Sequence, residues 1–87
     1  MIEFDRQKDE ANQLKHGVSL ARAEDFEIDA TIIDPFPSER RFRAFGRIDG
    51  QYYCLIFTLR AGRVRAISLR RAHQKEYDLY VPPKPRP

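Results

Sequence analysis

The sequence has one cysteine, Cys54, in 87 residues. A single thiol excludes an internal disulfide and any cysteine-rich zinc site. No apolar run reaches the ~20 residues of a membrane-spanning helix. The opening residues, MIEFDRQKDE, have no signal-peptide character. These absences set the expectation of a soluble, cytoplasmic protein with no membrane partner. Glycine occurs four times, and nowhere as a glycine-rich loop for a nucleotide phosphate. No pair of histidine, cysteine or carboxylate residues has the spacing of a zinc site, so no metal and no cofactor are expected. The last absence is local. The stretch Arg60–Ala72, RAGRVRAISLRRA, contains no acid, yet it carries Arg60, Arg63, Arg65, Arg70 and Arg71. Solvated strands ordinarily mix their charges, because like charges on neighbouring strands repel. An all-positive strand points to a surface that meets phosphate.

Charge along the rest of the chain is also uneven. Residues 1–39 hold four basic and ten acidic residues, and residues 40–71 hold nine arginines against Asp49 alone. The net charge is only +3. Either an acidic layer neutralises a basic one across their contact, or the basic part is a platform for an anionic partner. The length sets one domain over residues 1–80, with a proline-rich tail at 81–87.

Local signals give an α+β order. Asp5 can cap a helix ending at His16, and Gly17 turns the chain after it. Phe4, Ala11, Leu14 and Val18 recur at helical spacing as an apolar stripe. Lys8, Asn12, Lys15 and His16 share another face. Ser19–Phe26 reads as a second helix, with Leu20, Ala23 and Phe26 turned inward. Ala30–Asp34 reads as a short strand that Pro35 and Pro37 end. From Arg41 to Ile48 the residues alternate, placing Arg41, Arg43, Phe45 and Arg47 on one side. Asp49-Gly50 is a hairpin turn. Gln51–Leu59 is apolar on both faces, as in a central strand. Ala61-Gly62 turns into Arg63–Leu69, and a helix follows over Ala72–Tyr80. The expected architecture is two N-terminal helices, an antiparallel sheet of about four strands and a C-terminal helix, with the helices on one face.

Three segments, in order, resemble one family. EFDRQKDEANQLKHGVSLARA resembles E-W-D-x-x-K-x-x-x-N-x-x-K-H-G-V-x-F-x-x-A. Glu3, Asp5, Lys8, Asn12, Lys15, His16, Gly17, Val18 and Ala21 match it, with Phe4 for Trp and Leu20 for Phe. SERRFRAFG resembles E-x-R-x-x-x-I-G through Glu39, Arg41 and Gly46. RVRAISLRRAHQKEYDLY resembles R-I-R-I-I-S-x-R-x-A-x-x-x-E-x-x-x-Y through Arg65, Ile67, Ser68, Arg70, Ala72, Glu76 and Tyr80. The family is BrnT, the toxin of BrnT–BrnA type II toxin–antitoxin systems. The resemblance implies a RelE-like fold and a ribonuclease that blocks translation. It also implies a BrnA-like antitoxin with a ribbon-helix-helix DNA-binding domain, through which the toxin reaches promoter DNA.

RNA carries its own nucleophile, the 2′-hydroxyl. A ribonuclease must take that proton, stabilise the charged phosphorane and protonate the leaving oxygen. Arginine suits the middle task, because its fork matches phosphate and stays charged. Arg65 and Arg70 are the candidates for it. Lys15 and His16 are candidates for proton transfer, since the imidazole titrates near neutrality. They equally suit the negative end of a helix dipole. Glu39 is either a base or the partner of an arginine. Lys8, Arg60, Arg63, Arg71 and Tyr80 are expected to bind RNA, with Tyr80 alternatively fixing the last helix alongside Glu76. The competing reading of the same residues is a non-catalytic module that binds nucleic acid or the antitoxin in autoregulation.

Overall fold

The computed structural model describes residues 2–34 and 40–83. Pro35, Pro37, Glu39 and the end of the proline-rich tail lie outside the described residues. Five strands form one mixed sheet in the order β1-β5-β4-β3-β2. They are β1 (Glu3–Phe4), β2 (Glu27–Asp34), β3 (Arg41–Ile48), β4 (Gln51–Arg60) and β5 (Arg63–Arg71), with helices α1 (Arg6–His16) and α2 (Gln74–Tyr80). The three hairpin-linked pairings are antiparallel. β1 is an added parallel strand, pairing Glu3 with Arg65 and Phe4 with Ala66. Two residues carry no periodicity, so β1 has no signature in the sequence.

Three other elements correct the expectation. The second helix is a 3-10 helix, Leu20–Asp25, whose cap Ser19 accepts from the Ala21 amide. β2 starts at Glu27 rather than Ala30. Its acids are tolerated in a strand because Arg47 on β3 reaches Asp29 at 3.0 Å and Glu27 at 3.4 Å. α2 begins at Gln74 rather than Ala72, since β5 runs on to Arg71 and the Ala72 amide donates to the Tyr52 carbonyl at 3.0 Å.

The helices occupy both faces of the sheet, not one. Leu20 and Ala23 pack with Ala44, Ile48, Leu55, Phe57, Ala66 and Leu69 on the first face. On the second face Phe45, Cys54 and Ala72 form a smaller core with Tyr52, Tyr77 and Val81. Alternation along β3 and β4 splits Ala44 from Phe45 and Cys54 from Leu55. α2 is held there by Tyr52–Tyr77 stacking at 4.2 Å and by the Tyr77 hydroxyl, which donates to Asp29 at 2.6 Å. At Gly46 the Glu27 carbonyl oxygen occupies the place a Cβ would need, so β2 lies against β3 only with glycine there.

Of the apolar stripe expected along α1, only the flanking Phe4 and Val18 pack against the first core. Ala11 is exposed and Leu14 is 90% exposed. The buried residue of this helix is Asn12. Its amide donates to the Leu69 carbonyl at 2.8 Å and the Val18 carbonyl at 2.9 Å, and its oxygen accepts from the Leu69 amide at 3.1 Å. Asn12 therefore stands where a neighbouring strand would, satisfying the β5 edge just beyond β1. Asp9 does similar work one turn earlier, accepting from the Leu20 amide at 2.7 Å and the Ser19 hydroxyl at 2.9 Å. α1 is thus anchored by polar bonds, which fixes its remaining face beside β5.

Candidate nucleic-acid interface

Register decides which arginines share a face. Arg43 lies across from Ile56, and Ile56 across from Ser68. Phe45 pairs with Cys54, Cys54 with Arg70, Thr58 with Arg65, and Arg60 with Arg63. Directly paired residues point to the same side of a sheet. Arg41, Arg43 and Arg47 of β3, Arg60 of β4, and Arg63, Arg65 and Arg70 of β5 therefore all belong to the second face. A bulge between Ile56 and Phe57 and their partners makes this possible on β5. It inserts Ile67 and keeps Arg65 and Arg70 in phase with the β3 arginines.

This face is only partly uncompensated. Arg43 meets Asp34 at 3.1 Å, Arg63 meets Glu3 at 3.1 Å, and Arg65 lies 3.9 Å from the same carboxylate. The acids of residues 1–34 thus close on the arginines of the sheet, so mutual neutralisation explains part of the charge asymmetry. Arg70 is held differently. Its two terminal nitrogens donate to the two oxygens of Glu76 on α2, at 2.8 and 2.9 Å. One of them also reaches the Arg71 carbonyl at 3.3 Å. The Arg70 hydrogen bonds hold the Glu76 carboxyl below its usual range, against the opposing effect of burial. Among the described residues, the Nε–H of Arg70 and the second hydrogen on Nη2 have no partner. That side-on edge is itself a two-donor fork of the kind that fits phosphate.

Next to Arg70, α1 and β5 enclose an open groove of about 230 Å³, lined by Lys8, Lys15, His16, Ile67 and Ser68. α1 brings the first three together because they recur at i, i+7 and i+8 on the face that Asn12 seats against β5. His16 is half-buried. Burial lowers its pKa below the usual 6.5, and the neighbouring charges of Lys15 and Arg70 add to the effect. The imidazole is therefore neutral near pH 7 and able to accept a proton.

The other predicted positions fall elsewhere. Arg60 and Arg63 flank the Ala61-Gly62 turn at the tip of the β4–β5 hairpin. Arg71 points to the first face, 5.6 Å over the Tyr53 ring, and donates to Gln51 at 2.7 Å. Tyr80 stacks on buried Phe45 at 4.7 Å, so one face of its ring closes the smaller core. Glu39 lies outside the described residues. Sequence reasoning did not single out Arg41, Arg43 or Ser68 as site residues. The alternation of β3 was its available signal, but only the register with β4 and β5 joins those positions to Arg70. Among the described residues, no group of three or more His, Cys, Asp or Glu side chains gathers to hold a metal ion. No described helix is long and apolar enough to cross a membrane.

Comparison with known proteins gives two matches. A family model described as a ribonuclease toxin, BrnT, of type II toxin–antitoxin systems matches residues 4–76. The crystal structure of the Brucella abortus ribonuclease toxin, BrnT, is similar at a TM-score of 0.66 and 27% identity, covering 84% of this chain and 96% of that one. No curated protein matches the chain.

Proposed function

The chain belongs to the BrnT family of type II toxin–antitoxin ribonuclease toxins, and from that premise we propose that it is a RelE-like, metal-independent endoribonuclease that stops translation by cutting RNA. The observation that carries this reading is the neutral His16 in a cationic groove beside the open fork of Arg70. His16 takes the proton of the 2′-hydroxyl, whose oxygen attacks the adjacent phosphorus. Arg70 stabilises the charge that builds on the phosphorane, whereas Arg65, four β4 positions away and beside Glu3, holds a flanking phosphate. The bond to the 5′-oxygen breaks, and Lys15 supplies a proton to that leaving oxygen. Lys8, Arg60 and Arg63 hold the flanking backbone. Glu76 positions Arg70 by occupying its far end. The partner is a BrnA-like antitoxin with a ribbon-helix-helix domain, which covers the arginine face and carries the pair to promoter DNA. Residues 1–80 are the working domain, acting in the cytoplasm on cellular RNA.

Purified protein should cut RNA in the presence of EDTA and leave a cyclic or 3′-phosphate. Activity that EDTA abolishes and magnesium restores would overturn the metal-independent mechanism. Binding without any cutting would favour the non-catalytic module instead.

The lowered pKa of His16 gives a pH prediction with a definite sign. A base must be unprotonated, so the rate falls as pH drops through its folded pKa. Because that pKa is depressed, kcat/KM should stay above half of its plateau at pH 6.5, where an unperturbed histidine would already be half protonated. Lys15→Ala removes one depressing charge and should move the acid limb upward. An acid limb centred at or above 6.5 in the parent would show that His16 is not the base.

A further inference from the structure

We propose that Arg43 forms a second phosphate subsite on the sheet, for the RNA nucleotide next to the one being cut. The inference rests on the ribonuclease reading above and extends it to a residue outside the family motifs. Arg43 lies in the same cross-strand row as Ile56 and Ser68. Two strand spacings, about 10 Å in all, separate its backbone from that of Ser68 in the groove. The row between them holds half-buried Ile56 and no acid. Arg43 acts electrostatically on both Glu76 and Cys54, as Arg70 does. Register places it on the same face as Arg70, one strand beyond β4.

Availability separates Arg43 from its neighbours. Its side chain is 33% exposed, and only Nη2 is engaged, at 3.1 and 3.4 Å from the two oxygens of Asp34. Among the described residues, its Nε and Nη1 hydrogens have no partner. Arg47, by contrast, commits both Nε and Nη2 to Asp29. Asp34 thus restrains Arg43 from one side, as Glu76 restrains Arg70, and each arginine keeps donors that no described residue engages. A chain of phosphates crossing the strands from the α1 groove reaches Arg43 next. Such a contact positions the RNA and reads no base.

Counting phosphate contacts by salt dependence tests this directly. Each contact with single-stranded nucleic acid contributes a slope of about −0.7 to log K against log salt. The probe is a 2′-O-methylated RNA oligomer, which binds but cannot be cut, titrated by anisotropy over a series of salt concentrations. Arg43→Ala should bind roughly tenfold more weakly at low salt, as expected for one charge-assisted contact. Its slope should be shallower by about 0.7. Arg43→Lys keeps the charge and should keep the slope. Thermal melts confirm that each variant is folded. If the parent binds and cuts RNA while Arg43→Ala retains the parent slope and affinity, the subsite is wrong and the ribonuclease reading stands. Equal loss of slope in both variants also overturns it, because charge is then not the cause. A parent that neither binds nor cuts RNA defeats the ribonuclease reading itself.

Discussion

Arg70→Ala is expected to lower RNA cleavage by about 100-fold or more, with the domain still folded. Removing one donor from a developing oxyanion typically has that effect. Arg70 is placed to exceed it, because its fork is fixed before RNA arrives. Glu76 grips the outer nitrogens at 2.8 and 2.9 Å, so little conformational freedom is left to lose when phosphate binds. Arg70→Lys separates charge from geometry. A lysine keeps the positive charge but cannot meet Glu76 and a phosphate through two forks, so most of the activity should still be lost. The cost to stability is smaller than the cost to rate. The Arg70 and Glu76 side chains are 32% and 29% exposed, so solvent screens their interaction and re-solvates the carboxylate left behind. Cleavage of a labelled RNA, measured beside a thermal melt, separates the two effects. A folded Arg70→Ala protein that cuts like the parent would remove Arg70 from the mechanism.

Asn12→Asp is expected to be the most destabilising of the substitutions considered, by about 3 kcal/mol or more. The two oxygens of a carboxylate are nearly the same size as the amide they replace, so packing hardly changes. Chemistry does. Both N–H donors to the Leu69 and Val18 carbonyls, at 2.8 and 2.9 Å, would be replaced by an anion facing those same carbonyls. Asn12 is 6% exposed, so water cannot make up the difference. Burial and facing carbonyls would raise the pKa of the new carboxyl above its unfolded value. The penalty should therefore be largest above the folded pKa and shrink as acid protonates the group. For a domain of this size, 3 kcal/mol corresponds to a melting point lower by roughly 15 °C. Leu14→Ala is the control on the same helix. It removes more apolar surface, yet at 90% exposure it should change stability by no more than about 0.5 kcal/mol. Urea unfolding of both variants checks the pair. If Leu14→Ala destabilises more than Asn12→Asp, α1 is held by apolar contact and not by its amide.

That contrast marks where local reading ends. The chain by itself determined what depends on near neighbours. Asp5 caps α1, accepting from the Gln7 amide at 2.7 Å. Gly17 turns the chain at φ 72°. Asp49-Gly50 and Ala61-Gly62 both turn through positive φ at their two central residues, which suits the twist of the hairpins they close. The alternation from Arg41 to Ile48 also set Arg41, Arg43 and Arg47 on one side. Each of these follows from backbone geometry within a few residues, where no distant partner has a vote.

Tertiary structure decided which elements meet. The two residues of β1 form a strand because the β5 edge is there to pair with. Leu14 faces solvent because Asn12 finds the Leu69 backbone, 57 residues away. Glu76 could not be assigned to Arg70 until α2 settled on the second face. Two bulges matter most. One falls between Ile28 and Ala30, and the other opposite Ile56 and Phe57. Side chains in a strand change face at every residue, so one extra residue reverses the phase of everything beyond it. A bulge has no fixed sequence signature, and without its position the alternation on β5 cannot be aligned with that on β3. The arginines were legible as residues. Their gathering on one face, with a neutral histidine at its edge, depends on cross-strand register, which contacts between distant segments set.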